Sequence, residues 1–272
     1  MYESAQCERR IPSTLAHRLL TFRARMTERP KRSCPWSART VPTTVSQSSG
    51  NRVLSSLSRE DADLIAPGLQ KVDLPLRKQL ESSNKRIEYV YFIDHGIASV
   101  VADGSGRGGI EIGIIGREGV TGLALLMGAD RSPHETYMQV AGAGQRMNAA
   151  SVREVMSESM SLRMVLLRHG YAFTVQMAQT ALANGRHKLE ERLARWLLMA
   201  HDRVDGEDLK LTHEFLSLML GVRRSGVTVA LRILEREGMV RARRGGVTIL
   251  DRDGLEECAN GAYRSPEALA AR

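Results

Sequence analysis

The sequence predicts an α+β chain: an antiparallel β-rich half closing as a sandwich or barrel, a long helical segment, and a C-terminal winged helix-turn-helix. Three observations predict it. Short β-branched or aromatic runs recur at about 8–12-residue spacing between Leu69 and Met147. After Ala150 the apolar period changes to about 3.6. From Leu209 to Asp251, helix caps, glycine turns and a basic hairpin follow one another.

The elements divide the chain into a basic tail at 1–48, a sensor-like β domain at 49–150, connecting helices at 151–204 and the helix-turn-helix at 205–272. Residues 1–48 hold nine Lys and Arg against three acids, a net +6 of the chain's +8, and end in Ser, Thr, Pro and Gly. Such a composition buries too little apolar surface to offset the entropy of ordering, so this tail is expected to be disordered. From Asn51 the pattern becomes that of a folded protein, with Ser58 as the cap of a short helix and Asp61 at its capping-box position. The stretch Gly170 to Gly185 is free of Asp, Glu, Lys and Arg but carries Gln176, Gln179 and Asn184, and it is shorter than the ~20 apolar residues of a bilayer span, so no membrane segment is expected. Cys7, Cys34 and Cys258 are an odd set without C-x-x-C spacing; this argues for a reducing cytoplasm and against a metal centre.

The strands are read from Tyr89-Val-Tyr-Phe-Ile, Ile97-Ala-Ser-Val-Val and Ile110-Glu-Ile-Gly-Ile-Ile, each bounded by Gly, Asp or Asn. Gly104-Ser-Gly106-Arg-Gly-Gly109 fits a dinucleotide fingerprint in letters only. A strand follows it where a phosphate site needs a helix N-terminus, so it reads as a hairpin tip. His134-Glu135 lacks the second histidine of a zincin, and no G-x-S-x-G or G-K-[ST] occurs, so an enzyme finds no footing. His95 and His134 stand alone and read as ordinary histidines rather than haem ligands.

The helical segment 161–204 carries an apolar stripe. Tyr171, Val175, Ala178, Leu182 and Leu189 are the candidate seam of a homodimer, with small residues allowing close approach and a break expected at Asn184-Gly185. Thr212 then caps a helix, Gly221 supplies a left-handed turn, and a second helix runs from Arg223 to Glu237 with Val227, Ala230, Leu231 and Leu234 facing inward. Gly238 ends it, and a hairpin follows with Arg-Arg-Gly-Gly at its tip. Between Gly221 and Gly246 seven arginines face two acids, a net +5. Arginine matches phosphate oxygens and the acceptor pair of guanine. Thr212, Arg223, Arg224, Ser225, Thr228, Arg232, Arg243 and Arg244 are therefore the candidate DNA-binding residues.

The stretch from Leu211 to Glu235, together with the preceding helices and strands, resembles the Crp/Fnr transcription regulators over about residues 51–259. The resemblance implies a cyclic-nucleotide-like β-roll, a dimerisation helix and a winged helix-turn-helix on a near-palindromic DNA operator, with RNA polymerase as a further partner. Members responsive to cyclic AMP commonly read bases with Arg, Glu and a further Arg; the matching positions here are Arg224, Ser225 and Val229, so their operator is not carried over. Nucleotide-binding members hold ribose with a Glu in a Gly-Glu-Leu turn and phosphate with an Arg-Ser pair. Here the effector candidates are Thr121, Gly122, Leu123, Arg131 and Ser132, with Gly122 in place of the carboxylate. An unpartnered ribose hydroxyl costs about 1–3 kcal/mol, so cyclic AMP is expected to bind poorly. The N-terminal cysteine cluster of oxygen-sensing members is missing, and no cofactor is evident.

The expectation is a dimeric, sequence-specific DNA-binding regulator controlled by an unidentified effector. The alternative is a nucleotide-binding regulatory or scaffold module whose helix-turn-helix contacts protein.

Overall fold

The computed structural model describes residues 50–102 and 109–264. The basic tail, with Cys7 and Cys34, and most of the Gly104–Gly109 motif lie outside the described residues.

Helices α1 (Arg52–Ser55) and α2 (Arg59–Ile65) open the fold. Asn51, wholly buried, accepts from Val53 and Leu54 N–H, while its amide donates to Ile93 O and Gly119 O at 2.8 Å each. One side chain thus caps a helix and anchors it to the sheet. Ser58 caps α2 as expected, and the Asp61 carboxylate accepts from Ser159 and Ser161. Burial, the largest single effect, pushes its pKa up, but its hydrogen bonds with Ser159, Ser161 and Ser58 together outweigh it and draw the pKa below the ordinary value.

Five strands follow: β1 (Gln70–Leu74), β2 (Gln79–Glu81), β3 (Tyr89–Ala102), β4 (Ile110–Ile115) and, after the short helix α3 (Leu123–Leu126), β5 (His134–Asn148). All pairs are antiparallel in the order β1-β5-β3-β4, with β2 also on β5. The two runs expected as separate strands, Tyr89 to Ile93 and Ile97 to Val101, form one strand. Asp94-His95-Gly96 makes a bulge rather than a turn, and pairing with β5 continues across it. Opposite the bulge a Cβ at Gly142 would stand 1.8 Å from His95 O, so that strand crossing admits only glycine. Along β3, Val90 and Phe92 enter one apolar cluster with Leu162 and Leu166, while Tyr91 and Ile93 enter another with Leu74 and Phe173. The two-residue period thereby fills both faces of a central strand.

Helices α4 (Ala149–Glu158), α5 (Met160–Arg186) and α6 (Leu189–His201) come next. The expected break at Asn184-Gly185 is absent: α5 continues through both residues, and the chain straightens at His187-Lys188. There His187 Nδ1 meets Glu191 Oε2 at 2.8 Å and Lys188 N–H donates to the same oxygen at 3.1 Å, which starts α6. Gln176 of α5 seals β4: its Oε1 accepts from Ile114 N–H at 2.7 Å and its Nε2 donates to Ile114 O at 3.2 Å.

A second sheet, β6 (Asp208–Leu209), β7 (Val240–Arg243) and β8 (Gly246–Ile249), brackets helices α7 (His213–Leu220) and α8 (Arg224–Arg236), and α9 (Arg252–Cys258) closes the described chain. Leu193 to Ala200 of α6 are consecutive buried residues, and all of them but Arg195 join Leu216, Leu231, Leu234 and Leu255 in one core. The core also takes in Ile97 and Ile114 of the first sheet. No helix of the described residues is long and apolar enough to cross a membrane.

Candidate nucleic-acid interface

The C-terminal site is built by local chemistry. Phe215 N–H donates to Thr212 Oγ1 at 3.3 Å, which starts α7. Gly221 at φ 63° ends it, and Arg223 in extended conformation starts α8. Val227, Ala230, Leu231 and Leu234 bury one face of α8. The other presents Arg223, Arg224, Ser225, Val229, Arg232 and Arg236, all exposed. Val229 is 57% exposed, an apolar side chain in water on an otherwise polar face.

The neighbouring acids are engaged in ways that leave most of this face positive. Glu235 Oε1 accepts from Ala242 N–H at 3.0 Å and so pins the wing, β7 and β8, to α8. Glu237 pairs with Arg236 at 3.0 Å. Arg224 lies 3.3 Å from Glu214, both side chains about two-thirds exposed, a pair of small energetic weight. Among the described residues no carboxylate pairs with Arg223, Arg232, Arg243 or Arg244. Thr228, partly buried, donates to Arg224 O at 3.0 Å and approaches His213 Nδ1 at 3.3 Å. The wing turns at Arg244-Gly245 between Arg243 and Gly246, which sit opposite one another. Arginines of α8 and of the wing are thus each exposed.

The effector candidates occupy the turn around α3. Thr121 is wholly buried and accepts from Tyr91 N–H at 3.0 Å. Gly122 sits at φ 77°, and its N–H donates to Glu81 Oε1 at 2.8 Å. Leu123 packs on the Leu74 and Phe173 cluster. Arg131 is exposed, donating to Asn84 O at 3.0 Å, and buried Ser132 accepts from His134 N–H at 3.1 Å. Ser132 is thereby engaged within its own loop, and Arg131 with the turn after β2. Glu81, which the sequence reading missed, is 8% exposed; burial pushes its pKa up, against the pull of its hydrogen bonds to Gly122 and Thr136. A single Glu on an alternating strand gave no signal. Among the described residues no group of three or more His, Cys, Asp or Glu is placed to hold a metal ion.

Of the seam candidates, Tyr171, Ala178 and Leu182 are exposed on α5 and Val175 is half-buried there. Leu189 leaves the stripe, because the break at His187-Lys188 puts it on α6, packed against the C-terminal core.

The sequence matches the family model of the Crp-like helix-turn-helix domain over residues 191–258. No curated protein matches it. Among solved structures, a regulator of the crp/fnr family from Eubacterium rectale aligns at 19% identity and TM-score 0.61, covering 78% of this chain and 99% of that one. FixK2 from Bradyrhizobium japonicum aligns at 17% identity and TM-score 0.60, over 70% and 96% of the two chains. A CRP-family transcriptional regulator from Thermus thermophilus aligns at 17% identity and TM-score 0.59, over 72% and 98%. The chain therefore carries a Crp-like helix-turn-helix domain within the fold of the Crp/Fnr regulators.

Proposed function

We propose that this chain, a Crp-like helix-turn-helix domain joined to an antiparallel sensor sheet, is a dimeric, sequence-specific DNA-binding transcription regulator of the cytoplasm, with RNA polymerase as a further partner. The observation that carries the reading is the exposed surface of α8 and the wing, where Arg223, Arg232, Arg243 and Arg244 pair with no carboxylate among the described residues and α8 buries its other face. A helix so held enters the major groove with its N-terminal residues at base edges, while the wing arginines take phosphates. The exposed stripe of α5 supplies the two-fold seam, and a dimer sets two copies of α8 about 34 Å apart, one helical turn of duplex. The sensor turn answers an effector other than cyclic AMP: Gly122 brings no carboxylate to a ribose, and its N–H is already taken by Glu81.

Selection of bound sequences from a random duplex pool tests this directly. A near-palindrome with half-sites one turn apart is expected. Arg224→Ala should relax preference at one base position, at a cost of about 1–3 kcal/mol. Recovery of no sequence preference by the wild type, or equal operator affinity for Arg224→Ala, overturns the reading and favours a helix-turn-helix that contacts protein.

A further inference from the structure

Strand β4 and the turn after it grip the C-terminal domain at two points. At the first, Glu111 of β4 accepts from Trp196 Nε1 of α6 at 2.7 Å and meets Ser99 Oγ of β3 at 2.6 Å. At the second, Arg203, just beyond α6, reaches Glu118 Oε1 with Nη2 at 2.7 Å and Nε at 2.8 Å. Trp196 and Arg203 are seven residues apart, two turns of helix, and so fall on one side. Ile114 of β4 lies in the same core as Leu193 and Leu197 of α6. The docking surface is therefore an apolar strip with a polar clasp near each end.

The clasps differ in kind. Glu118 and Arg203 are an ion pair in direct contact, with Arg203 also donating to Met199 O at 2.6 Å. Glu111 is 4% exposed, and among the described residues no cation stands within ion-pair distance of it. Its two partners are neutral donors, the indole N–H to Oε1 and the Ser99 hydroxyl to Oε2, so the carboxyl is buried without a counter-ion, a setting that disfavours the charged form.

We propose that Glu111 is a proton-gated clasp, which as the neutral acid keeps α6 docked on β4 and as the carboxylate loosens that docking. The groups facing it are Ser99 from β3, Tyr137 from β5, and Trp196, Arg195 and Arg203 from α6 and the turn after it. Helix α5 presents only the neutral amide of Gln176, bonded to Ile114. The titratable His213 and Glu214 of α7 turn toward α8. Burial pushes the Glu111 carboxyl up to about 7, with Ser99, Trp196, Arg195 and Arg203 pulling the other way. A freed Glu111 returns to the ordinary value of 4.5. The docked form thus holds a proton that the loosened form releases. Its advantage is complete below 4.5, falls as pH rises toward 7 and is gone above it, a change of up to roughly two orders of magnitude in the docking constant.

The chain has two tryptophans, so in the full-length Trp36→Phe protein Trp196 is the sole emitter. Its emission is expected to shift to the red from about pH 5 to about pH 9 with a midpoint near the Glu111 pKa. Hydrogen-exchange protection of α6 and β4, corrected for intrinsic rates, should fall over the same interval in the unmutated protein. Glu111→Gln keeps a carbonyl for the indole and cannot ionise, and should hold the blue-shifted emission throughout. A pH-independent Trp196 signal, the same transition in Glu111→Gln, or exchange protection that does not follow pH overturns the proposal.

Discussion

Gly122 meets two constraints that no larger residue satisfies: φ of 77° lies in the left-handed region, and a Cβ there would stand 2.7 Å from Val90 Cγ2. Gly122→Ala is therefore expected to lower stability by about 1–3 kcal/mol, read from denaturant midpoints. The Glu81 carboxylate on the Gly122 N–H adds a pH term of definite sign. Its pKa is raised by burial, so its contribution to stability is fully present below 4.5 and is lost as pH rises through the folded value. Glu81→Gln keeps an acceptor for Gly122 and removes that loss. Its melting temperature should exceed that of the wild type at neutral pH and approach it in acid. Calorimetric titration with cyclic AMP should show no binding; tight, stoichiometric heat would mean that another group replaces the ribose carboxylate. On the DNA side, replacing Arg243 and Arg244 with Ala should weaken binding evenly across sequences, and the salt slope should fall by about one unit per lost phosphate contact.

At the scale of elements, the Gln176 amide joins α5 to β4 by both of its polar atoms. Gln176→Ala orphans the N–H of a wholly buried Ile114 and should cost about 1–3 kcal/mol in unfolding free energy, with the melting temperature as the readout. This contact spans 62 residues, Glu111 to Trp196 spans 85, and Asn51 to Gly119 spans 68. Buried polar pairs so far apart leave no period and no local motif, so none was legible in the sequence. The helix-turn-helix was legible because its signals are local: Thr212 and Phe215 are three residues apart, and Gly221 and Gly238 each end a helix at positive φ. The long strand β3 was misread as two because Asp94-His95-Gly96 has turn composition, whereas β5 continues opposite it and makes a bulge the cheaper solution. The helix boundary moved by two or three residues for a similar reason. Asn184 and Gly185 favour helix ends, yet the Glu191 carboxylate rewards a start at Lys188 instead.

At the scale of the whole molecule, the described residues leave a large apolar stripe in water. On α5, Leu162, Leu166, Phe173 and Gln176 are buried against the sheet side, while Met160, Met164, Tyr171 and Leu182 are 67%, 43%, 61% and 45% exposed. At 100° per residue those four and Ala178 fall within about 60° of one another, opposite the buried set. A helix apolar on two faces has a partner for one of them among the described residues. A second copy of α5 is the partner proposed for the other, because the stripe repeats at the three- and four-residue steps by which paired helices interlock and contains a small residue, Ala178, for close approach. Leu182→Glu places a charge at the C-terminal end of that seam beside its own symmetry mate, where ionising both requires desolvating like charges. The variant should sediment as a monomer at micromolar concentration, keep the fold of each protomer because Leu182 is exposed within it, and bind the selected operator at the non-specific level, typically 10³-fold weaker or more. A wild-type protein that sediments as a monomer, or a Leu182→Glu protein that remains dimeric, would place the seam elsewhere and remove the geometric basis for two recognition helices one turn of duplex apart.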